Sequence, residues 1–361
     1  MKILFAGGGT LGPVTPLLAV ASALRRIEPS VELAWVGTPH GPERALVEKA
    51  GIPFEAIAAV KLSRYPSLSW FALPFRWMTA RRHAEAMIDR LQPDAVVSVG
   101  GYTAVPVILA AARRGIPCFT HQLDQRPGLS NKKIAPLCAS VTTSFPYRTR
   151  PFGERVADQR IATPVRFLPG DMPDRSAAVR AFGFDPEKHV VLIFGGGTGA
   201  QALNMLVEST IPVWLSFAQV IHVTGIGKGN PEPSAARGYV RREFLDREMK
   251  DAYAAADLII SRAGMGTISE VASLSKAAIL VPIPGSHQED NARAVEQGGA
   301  AMVLRQKDDH FEKDIILAAQ TLLTDRDART QLGRRAHDFF PTDDGTAFAQ
   351  RIVDILAAEK N

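Results

Sequence analysis

Cysteine is nearly missing from this chain, with two residues in 361, Cys118 and Cys138. They form no Cys-x-x-Cys spacing and stand in no Cys/His cluster. That removes a disulfide-framework secreted domain and a structural zinc site, and it suits a reducing compartment. Long apolar runs are missing too. A membrane span needs about 20 apolar residues, and the two charge-free stretches are broken by Gly100-Gly101 and Pro106, and by Gly195-Gly196-Gly197 and Gly199. Each reads as buried strand, glycine turn, then helix, so no transmembrane helix is expected. The opening Met1-Lys2-Ile3-Leu4-Phe5-Ala6-Gly7 has one lysine and four apolar residues before its glycines. It reads as a first strand rather than a signal peptide. With 46 % hydrophobic and 22 % charged residues, the chain is not mostly disordered, and its length favours two domains.

The charge that is present is unevenly placed. Residues 1–165 hold 20 Lys/Arg against 11 Asp/Glu, and residues 166–361 hold 22 against 26, which makes the first part +9 and the second −4. A basic half points to an anionic partner, phosphates or a lipid surface. Its densest stretch runs from Lys61 through Arg64, Trp70, Phe71, Phe75, Arg76, Trp77 and Arg81 to Arg82. Basic groups interleaved with aromatic rings suit an anionic membrane boundary. They also suit an amphipathic helix turning its rings to its own core, and both readings stay open. No recognisable nucleic-acid module accompanies these residues, so no nucleic acid is expected as partner.

Strands alternate with helices along the whole chain. An apolar strand over residues 2–5 leads into Gly7-Gly8-Gly9-Thr10-Leu11-Gly12 and a helix over 15–25. The same opening returns at residues 189–194, followed by Gly195-Gly196-Gly197-Thr198-Gly199-Ala200 and a helix from Gln201 to Glu208. Further strands are expected at residues 31–36, 95–99, 118–120, 140–143, 219–223, 258–260 and 278–281, and a last helix at 346–357. Alternation of this kind implies α/β architecture with parallel sheets covered on both faces. Two such openings imply two doubly wound domains with a cleft between them, joined near Pro164 to Gly170.

Glycine-rich strand-to-helix turns let backbone N–H groups approach an anion at a positive helix end. Both turns fit the dinucleotide spacing, but a nicotinamide enzyme should end its second strand on an acid for the ribose. Here Val36 is followed by Gly37-Thr38, which disfavours that class. A second phosphate-type segment is Ser261-Arg262-Ala263-Gly264-Met265-Gly266-Thr267-Ile268-Ser269-Glu270. Its hydroxyls and small residues suit a diphosphate at a helix start, and Glu270 suits ribose hydroxyls; equally, Thr267-x-x-Glu270 fits a capping box. Pro282 to Asn291 adds hydrogen-bonding side chains at the C-terminal edge of the second sheet. Asp325-Arg326-Asp327 reads as solvated surface, and no metal or other cofactor is expected.

These segments together resemble the MurG family within glycosyltransferase family 28. The resemblance runs through Gly8-Gly9-Thr10, Gly100-Gly101-Tyr102, the block from His121 to Lys132, Thr163-Pro164-Val165-Arg166, the block from Gly195 to Asn204, the block from Arg262 to Glu270 and Gln288-x-x-Asn291-Ala292. It implies a GT-B fold of two Rossmann-like domains facing a cleft. We expect residues 1–162 with a C-terminal helix at 341–361 as the acceptor- and membrane-facing domain, and residues 163–340 as the donor domain. It further implies an inverting transfer of N-acetylglucosamine from UDP-GlcNAc to the muramoyl 4-hydroxyl of undecaprenyl-linked lipid I, at the cytoplasmic face of the cell membrane. Leu245 would present its backbone to uracil, and Met265, Gly266, Thr267, Ile268 and Ser269 would line the diphosphate. Glu270 would take the ribose, Gln288 the sugar hydroxyls, and Arg166 the donor. Thr10, Leu11 and Gly12 would face the sugar and the acceptor diphosphate.

The departures from the family pattern leave the donor site mostly intact and bear chiefly on the acceptor chemistry. The family's Gly-Gly-Thr-Gly-Gly-His is Gly8-Gly9-Thr10-Leu11-Gly12-Pro13, so proline stands where a histidine is often proposed as base. The family's His-Glu-Gln-Asn is His121-Gln122-Leu123-Asp124. In the second turn Gly197 replaces a phosphate-binding serine. Asp124 is therefore the expected base, with His121 second and Asp124 also near the donor. A different lipid acceptor, epimerisation of UDP-GlcNAc, or non-catalytic binding of a UDP-sugar are the alternatives.

Overall fold

The computed structural model describes residues 1–9, 12–59, 73–147, 149–196, 199–228, 236–306 and 310–360. The chain groups into two compact units, Met1–Arg166 with Asp343–Asn361, and Phe167–Thr342. Arg166, expected in the second domain, falls in the first unit.

In the first unit, among the described residues, seven strands lie in the order β3-β2-β1-β4-β5-β6-β7. They are β1 (Lys2–Ala6), β2 (Glu32–Gly37), β3 (Phe54–Ala56), β4 (Ala95–Ser98), β5 (Cys118–Gln122), β6 (Ser140–Thr143) and β7 (Asp158–Arg160), and their ladders are parallel. The central strands are buried on both faces and so read in sequence as continuous apolar runs. Crossovers are made by α1 (Val14–Ile27), α2 (Glu43–Lys49), α3 (Leu73–Leu91), α4 (Ala104–Ala112) and α5 (Leu129–Ile134). Leu4, Val36, Val96, Ile108 and Met87 share one core cluster. A two-residue strand, β8 (Thr163–Pro164), precedes the unit boundary.

In the second unit the described strands run β11-β10-β9-β12-β13-β14. They are β9 (Val190–Phe194), β10 (Gln219–Val223), β11 (Tyr239–Arg242), β12 (Leu258–Ser261), β13 (Ala278–Leu280) and β14 (Met302–Val303), again parallel. The helices are α6 (Arg175–Ala181), α7 (Gln201–Leu215), α8 (Glu248–Ala255), α9 (Met265–Ser273), α10 (Gln288–Gln297), α11 (Phe311–Thr324) and α12 (Arg326–Phe339). Helix α7 extends past its expected end at Glu208 and through Pro212, because Ile211 and Trp214 beyond it are buried in the core. Asp325, Arg326 and Asp327 are exposed, as expected, and Asp325 also caps α12, its carboxylate accepting from the Ala328 N–H at 2.9 Å.

The last helix, α13 (Thr346–Lys360), belongs to the first unit. Asp343 starts it by accepting from the Ala347 N–H at 2.6 Å, and Gly345, at φ 89°, sits where a β-carbon would strike the backbone of Ala19 and Val20 in α1. In each sheet the strand order reverses beside the first strand, between β1 and β4 and between β9 and β12. Ligands of open α/β sheets bind at the carboxyl ends of the strands flanking such a reversal, which directs attention to the turns after β1, β4, β9 and β12.

Candidate active site

The turn after β12 opens α9. Gly264 occupies the N-cap in extended conformation and offers no side-chain oxygen, and the first turn holds no acidic residue. The leading N–H groups of such a helix have no intrahelical acceptor and carry the positive end of its dipole. Gly266 and Thr267 are partly exposed there, while Met265 and Ile268 are buried. Ser269 departs from expectation. Its hydroxyl donates to the Met265 carbonyl at 2.7 Å and the residue is buried, so the side chain faces its own helix rather than a diphosphate.

Starting α9 at Met265 also overturns the capping-box reading. Thr267 is the third helical residue and Glu270 the sixth. The Glu270 carboxylate instead accepts from the Tyr253 hydroxyl at 2.8 Å, with Glu270 itself only 5 % exposed.

Helix α10 is stitched to the same turn. The Asn291 side chain, fully buried, donates to the Ala263 carbonyl at 3.2 Å. Gln288 stands beside the N-cap: a β-carbon on Gly264 would lie 3.8 Å from its Nε2, and its Oε1 accepts from the Ile283 N–H at 3.2 Å. Arg262 is almost wholly buried and donates to the Val281 and Pro282 carbonyls and to Gln306 Oε1 at 3.2, 3.3 and 3.1 Å, fixing the segment that carries Gln288. Leu245 lies between β11 and α8 with its side chain buried. Met265 to Glu270, Gln288 and Leu245 are thus all parts of the second unit.

The turn after β9 is close-packed. A β-carbon on Gly199, at φ 68°, would come within 2.1 Å of the Thr224 carbonyl oxygen. The Asn204 amide donates to the Thr224 and Lys228 carbonyls at 3.0 and 3.2 Å, which turns its Oδ1 toward His222 Nε2 at 3.1 Å. His222 Nδ1 then accepts from the Tyr239 hydroxyl at 2.8 Å. Gly197 lies outside the described residues.

The turn after β1 has a different underside. Gly7 gives its N–H to the Val36 carbonyl at 3.1 Å and receives the Trp35 indole N–H on its own carbonyl at 2.8 Å. The Gly9 N–H donates to Glu43 Oε1 at 3.1 Å, the oxygen that also receives the Thr38 N–H and hydroxyl, each at 2.6 Å. Glu43 is fully buried, and its Oε2 has no hydrogen-bond partner among the described residues. Two amides of this turn are therefore spent on interior acceptors rather than offered to an anion. Gly9, at φ 85°, also lies so close to Tyr102 that a β-carbon there would meet the ring at 2.8 Å. Burial first, and the nearby Glu43 second, raise the Tyr102 phenol above its usual range. Gly12 is exposed just before Pro13, the N-cap of α1; Thr10 and Leu11 lie outside the described residues.

His121 and Asp124, neighbours in sequence, are placed very differently. His121 is fully buried, its Nδ1 and Nε2 each 2.9 Å from a hydroxyl, of Thr142 and Ser144, and its ring 5.6 Å from that of Phe348 in α13. Burial pushes its pKa down to about 3. A neutral imidazole with both nitrogens engaged inside the core is a structural group, and this corrects the reading of His121 as a reserve base. Asp124 is half-buried, past the end of β5. Its carbonyl accepts from Gln122 Nε2 at 2.8 Å and from the Tyr147 hydroxyl at 2.9 Å, so its backbone is fixed. Arg166 is half-buried at the end of the first unit.

Sequence reasoning missed Glu43 and Tyr253. The only signal for Glu43 was its nearness to Gly37-Thr38, and for Tyr253 there was none, since a tyrosine on an apolar helix face reads as core.

Residues 3–143 match the glycosyltransferase family 28 N-terminal domain, and residues 190–342 the glycosyltransferase family 28 C-terminal domain. The chain is 37 % identical, over 98 % of its length and 98 % of the relative's, to a Nocardioides protein named UDP-N-acetylglucosamine--N-acetylmuramyl-(pentapeptide) pyrophosphoryl-undecaprenol N-acetylglucosamine transferase. A protein of the same name from Lachnoclostridium phytofermentans is 36 % identical, with 89 % of this chain and 88 % of the relative covered. The crystal structure of Acinetobacter baumannii MurG matches with a TM-score of 0.69 at 26 % identity, covering 99 % of each chain. UDP-GlcNAc 2-epimerase from Neisseria meningitidis, at 12 % identity and a TM-score of 0.68 over all of both chains, shares the fold. On two domain matches and relatives aligned along nearly its whole length, this chain belongs to glycosyltransferase family 28 and within it to the MurG family.

Proposed function

We propose that the protein transfers N-acetylglucosamine from UDP-GlcNAc to the muramoyl 4-hydroxyl of undecaprenyl-linked lipid I, giving lipid II for peptidoglycan synthesis. The observation that carries the donor side is the start of α9: an N-cap glycine, a partly exposed Gly266-Thr267, a carboxylate at Glu270 held by a buried phenol, and Gln288 beside the N-cap. Leading amides of a helix can stabilise the charge that builds on a departing diphosphate, without reorganising as it forms. Glu270 would accept from ribose hydroxyls, Gln288 would meet the sugar, and the Leu245 backbone would meet the uracil.

On the acceptor side, Asp124 is the base of this proposal. It is half-buried on a fixed backbone, and a positioned carboxylate is suited to take the proton of the attacking hydroxyl. That hydroxyl attacks the anomeric carbon from the face opposite UDP, the C–O bond to the diphosphate breaks, and the configuration inverts. Arg166, Thr10, Leu11, Gly12 and Gly197 remain proposed donor or acceptor contacts.

The proposed membrane contact is a basic, apolar face of the first unit. Of residues 61–82, those before 73 lie outside the described residues. In α3, Phe75 is 70 % exposed beside exposed Arg76, Arg81 and Arg82, and in α5, Leu129 is 78 % exposed beside Lys132 and Lys133. Lys133 Nζ sits 5.8 Å from the centre of the Trp77 ring. Such a surface suits anionic lipid at the cytoplasmic side of the membrane. No helix among the described residues is long and apolar enough to cross one.

The test is incubation with UDP-GlcNAc and synthetic lipid I, with product analysis and a control lacking acceptor. Lipid II together with UDP is the expected result. Turnover of UDP-GlcNAc to an epimer without acceptor, or no turnover with either, would reject it.

A further inference from the structure

Tyr253 is fully buried in α8, and its hydroxyl donates to Glu270 Oε2 at 2.8 Å. Two other rings fix it. Phe194, the last residue of β9, meets the Tyr253 ring edge-on at 6.1 Å and 85°, and Phe167 meets it at 6.0 Å and 62°. Phe167 is itself tied to the same helix as Glu270, since its carbonyl accepts from the Ser273 hydroxyl at 2.8 Å. Glu270 and Ser273 are three residues apart on α9, hence neighbours on its surface. The phenol is therefore clamped between the first strand of the sheet and the start of the unit, with its hydroxyl aimed at one carboxylate oxygen.

A glutamate side chain has three rotatable bonds, and a substrate that must order them loses binding energy to rotamer entropy. A hydroxyl on a rigid ring removes that freedom beforehand. We propose that Tyr253 is a positioning residue for nucleotide recognition: its hydroxyl sets the orientation in which Glu270 accepts from the ribose hydroxyls of a uridine diphosphate sugar. This rests on the reading of Glu270 as ribose acceptor given above. Tyr253 itself touches no substrate; it acts through Glu270.

The experiment compares Tyr253→Phe with the unaltered protein, each assayed with UDP-GlcNAc and with its 2′-deoxyuridine and 3′-deoxyuridine analogues. Phenylalanine keeps the ring contacts and removes only the hydroxyl. The expected result is a KM for UDP-GlcNAc raised about tenfold, the scale of one hydrogen bond to a charged group, with kcat within about twofold. The unaltered protein should discriminate against a deoxyribose donor by about tenfold or more, and the ratio should contract to about threefold in Y253F. A purely structural tyrosine would instead lower the melting temperature and leave that ratio intact. Tyr253→Met, which fills the space without a hydroxyl, gives a second reading and must contract the ratio as well. A full ratio retained in either folded variant overturns the proposal while leaving Glu270 as ribose acceptor. The absence of any discrimination in the unaltered protein overturns both.

Discussion

The turns after β1 and β9 share a strand, a run of glycines and a following helix, and they rest on different chemistry. Beneath the first, a buried carboxyl group at Glu43 collects the Gly9 N–H together with two donors from Thr38. Behind the second, a neutral chain of Tyr239, His222 and Asn204 holds the carbonyls of Thr224 and Lys228, the first of them packed against Gly199. In the first unit an acid fixes the backbone and takes the Gly9 amide that an anion would need. The phosphate-type helix start of the second unit lies one strand further along the sheet, at α9, where the first turn carries no acidic residue. A glycine spacing therefore reports how closely the chain can turn, and the groups beneath it decide what the turn can hold.

Four perturbations sharpen or break that contrast. The largest effect is expected from Asp124→Asn. Losing a general base costs about 10²–10⁴-fold, so kcat should fall by that range while the Kd for UDP, which the proposal places in the second unit, stays within about twofold. Parallel loss of UDP affinity would erase the division of labour between the units. Glu43→Ala comes next. It strands buried donors of Gly9 and Thr38, and unmet groups of this kind cost about 1–3 kcal/mol each. Denaturant unfolding should show roughly 3 kcal/mol of lost stability, and calorimetry unchanged UDP binding.

Gly199→Ala tests the second turn. A β-carbon 2.1 Å from a carbonyl oxygen at positive φ must displace the backbone, costing about 1–3 kcal/mol. We expect weaker UDP binding here, unlike Glu43→Ala; the opposite pattern would reverse the roles assigned to the two turns.

The smallest effect is common to both units. Burial depresses His121 to about 3 and His222 to about 4, against 6.5 for a free imidazole. Below pH 6.5 the unfolded chain binds protons that the folded one refuses. The stability from keeping these rings neutral is therefore complete above pH 6.5 and is lost as the pH falls toward 4. Each contributes a loss of about 1 kcal/mol per pH unit. Urea midpoints at pH 7 and at about 5.5 should show it, with His121→Gln and His222→Gln each flattening the dependence. A flat profile in the unaltered protein would mean that neither ring is held neutral.

Much of this architecture is legible in the chain because strands buried on both faces, such as Val190-Val191-Leu192-Ile193-Phe194, must be continuously apolar. The edge strands Phe54–Ala56, Asp158–Arg160, Tyr239–Arg242 and Met302–Val303 are short or polar and lack that signature. The segments from Arg262 to Glu270 and from Gln288 to Asn291 are legible in the sequence as candidate pieces of a site, but side-chain direction is not. Whether Ser269 faces a ligand or its own helix depends on α9 starting at Met265, which puts the Met265 carbonyl one turn behind its hydroxyl. His121 was misread for a similar reason: nothing local says that α13, more than 200 residues later, will lay Phe348 against it. Glu43 reaches Gly9 across 34 residues of chain and Tyr253 reaches Glu270 across 17, so spacing alone gives these contacts no motif.

The most direct measurement is a crystal of the protein soaked with UDP-GlcNAc. Difference density is expected for the diphosphate at the amides of Gly266 and Thr267, for the ribose at Glu270 and for the sugar beside Gln288. Density for the nucleotide in the turn above Glu43 instead, with the start of α9 left unchanged, would contradict that placement.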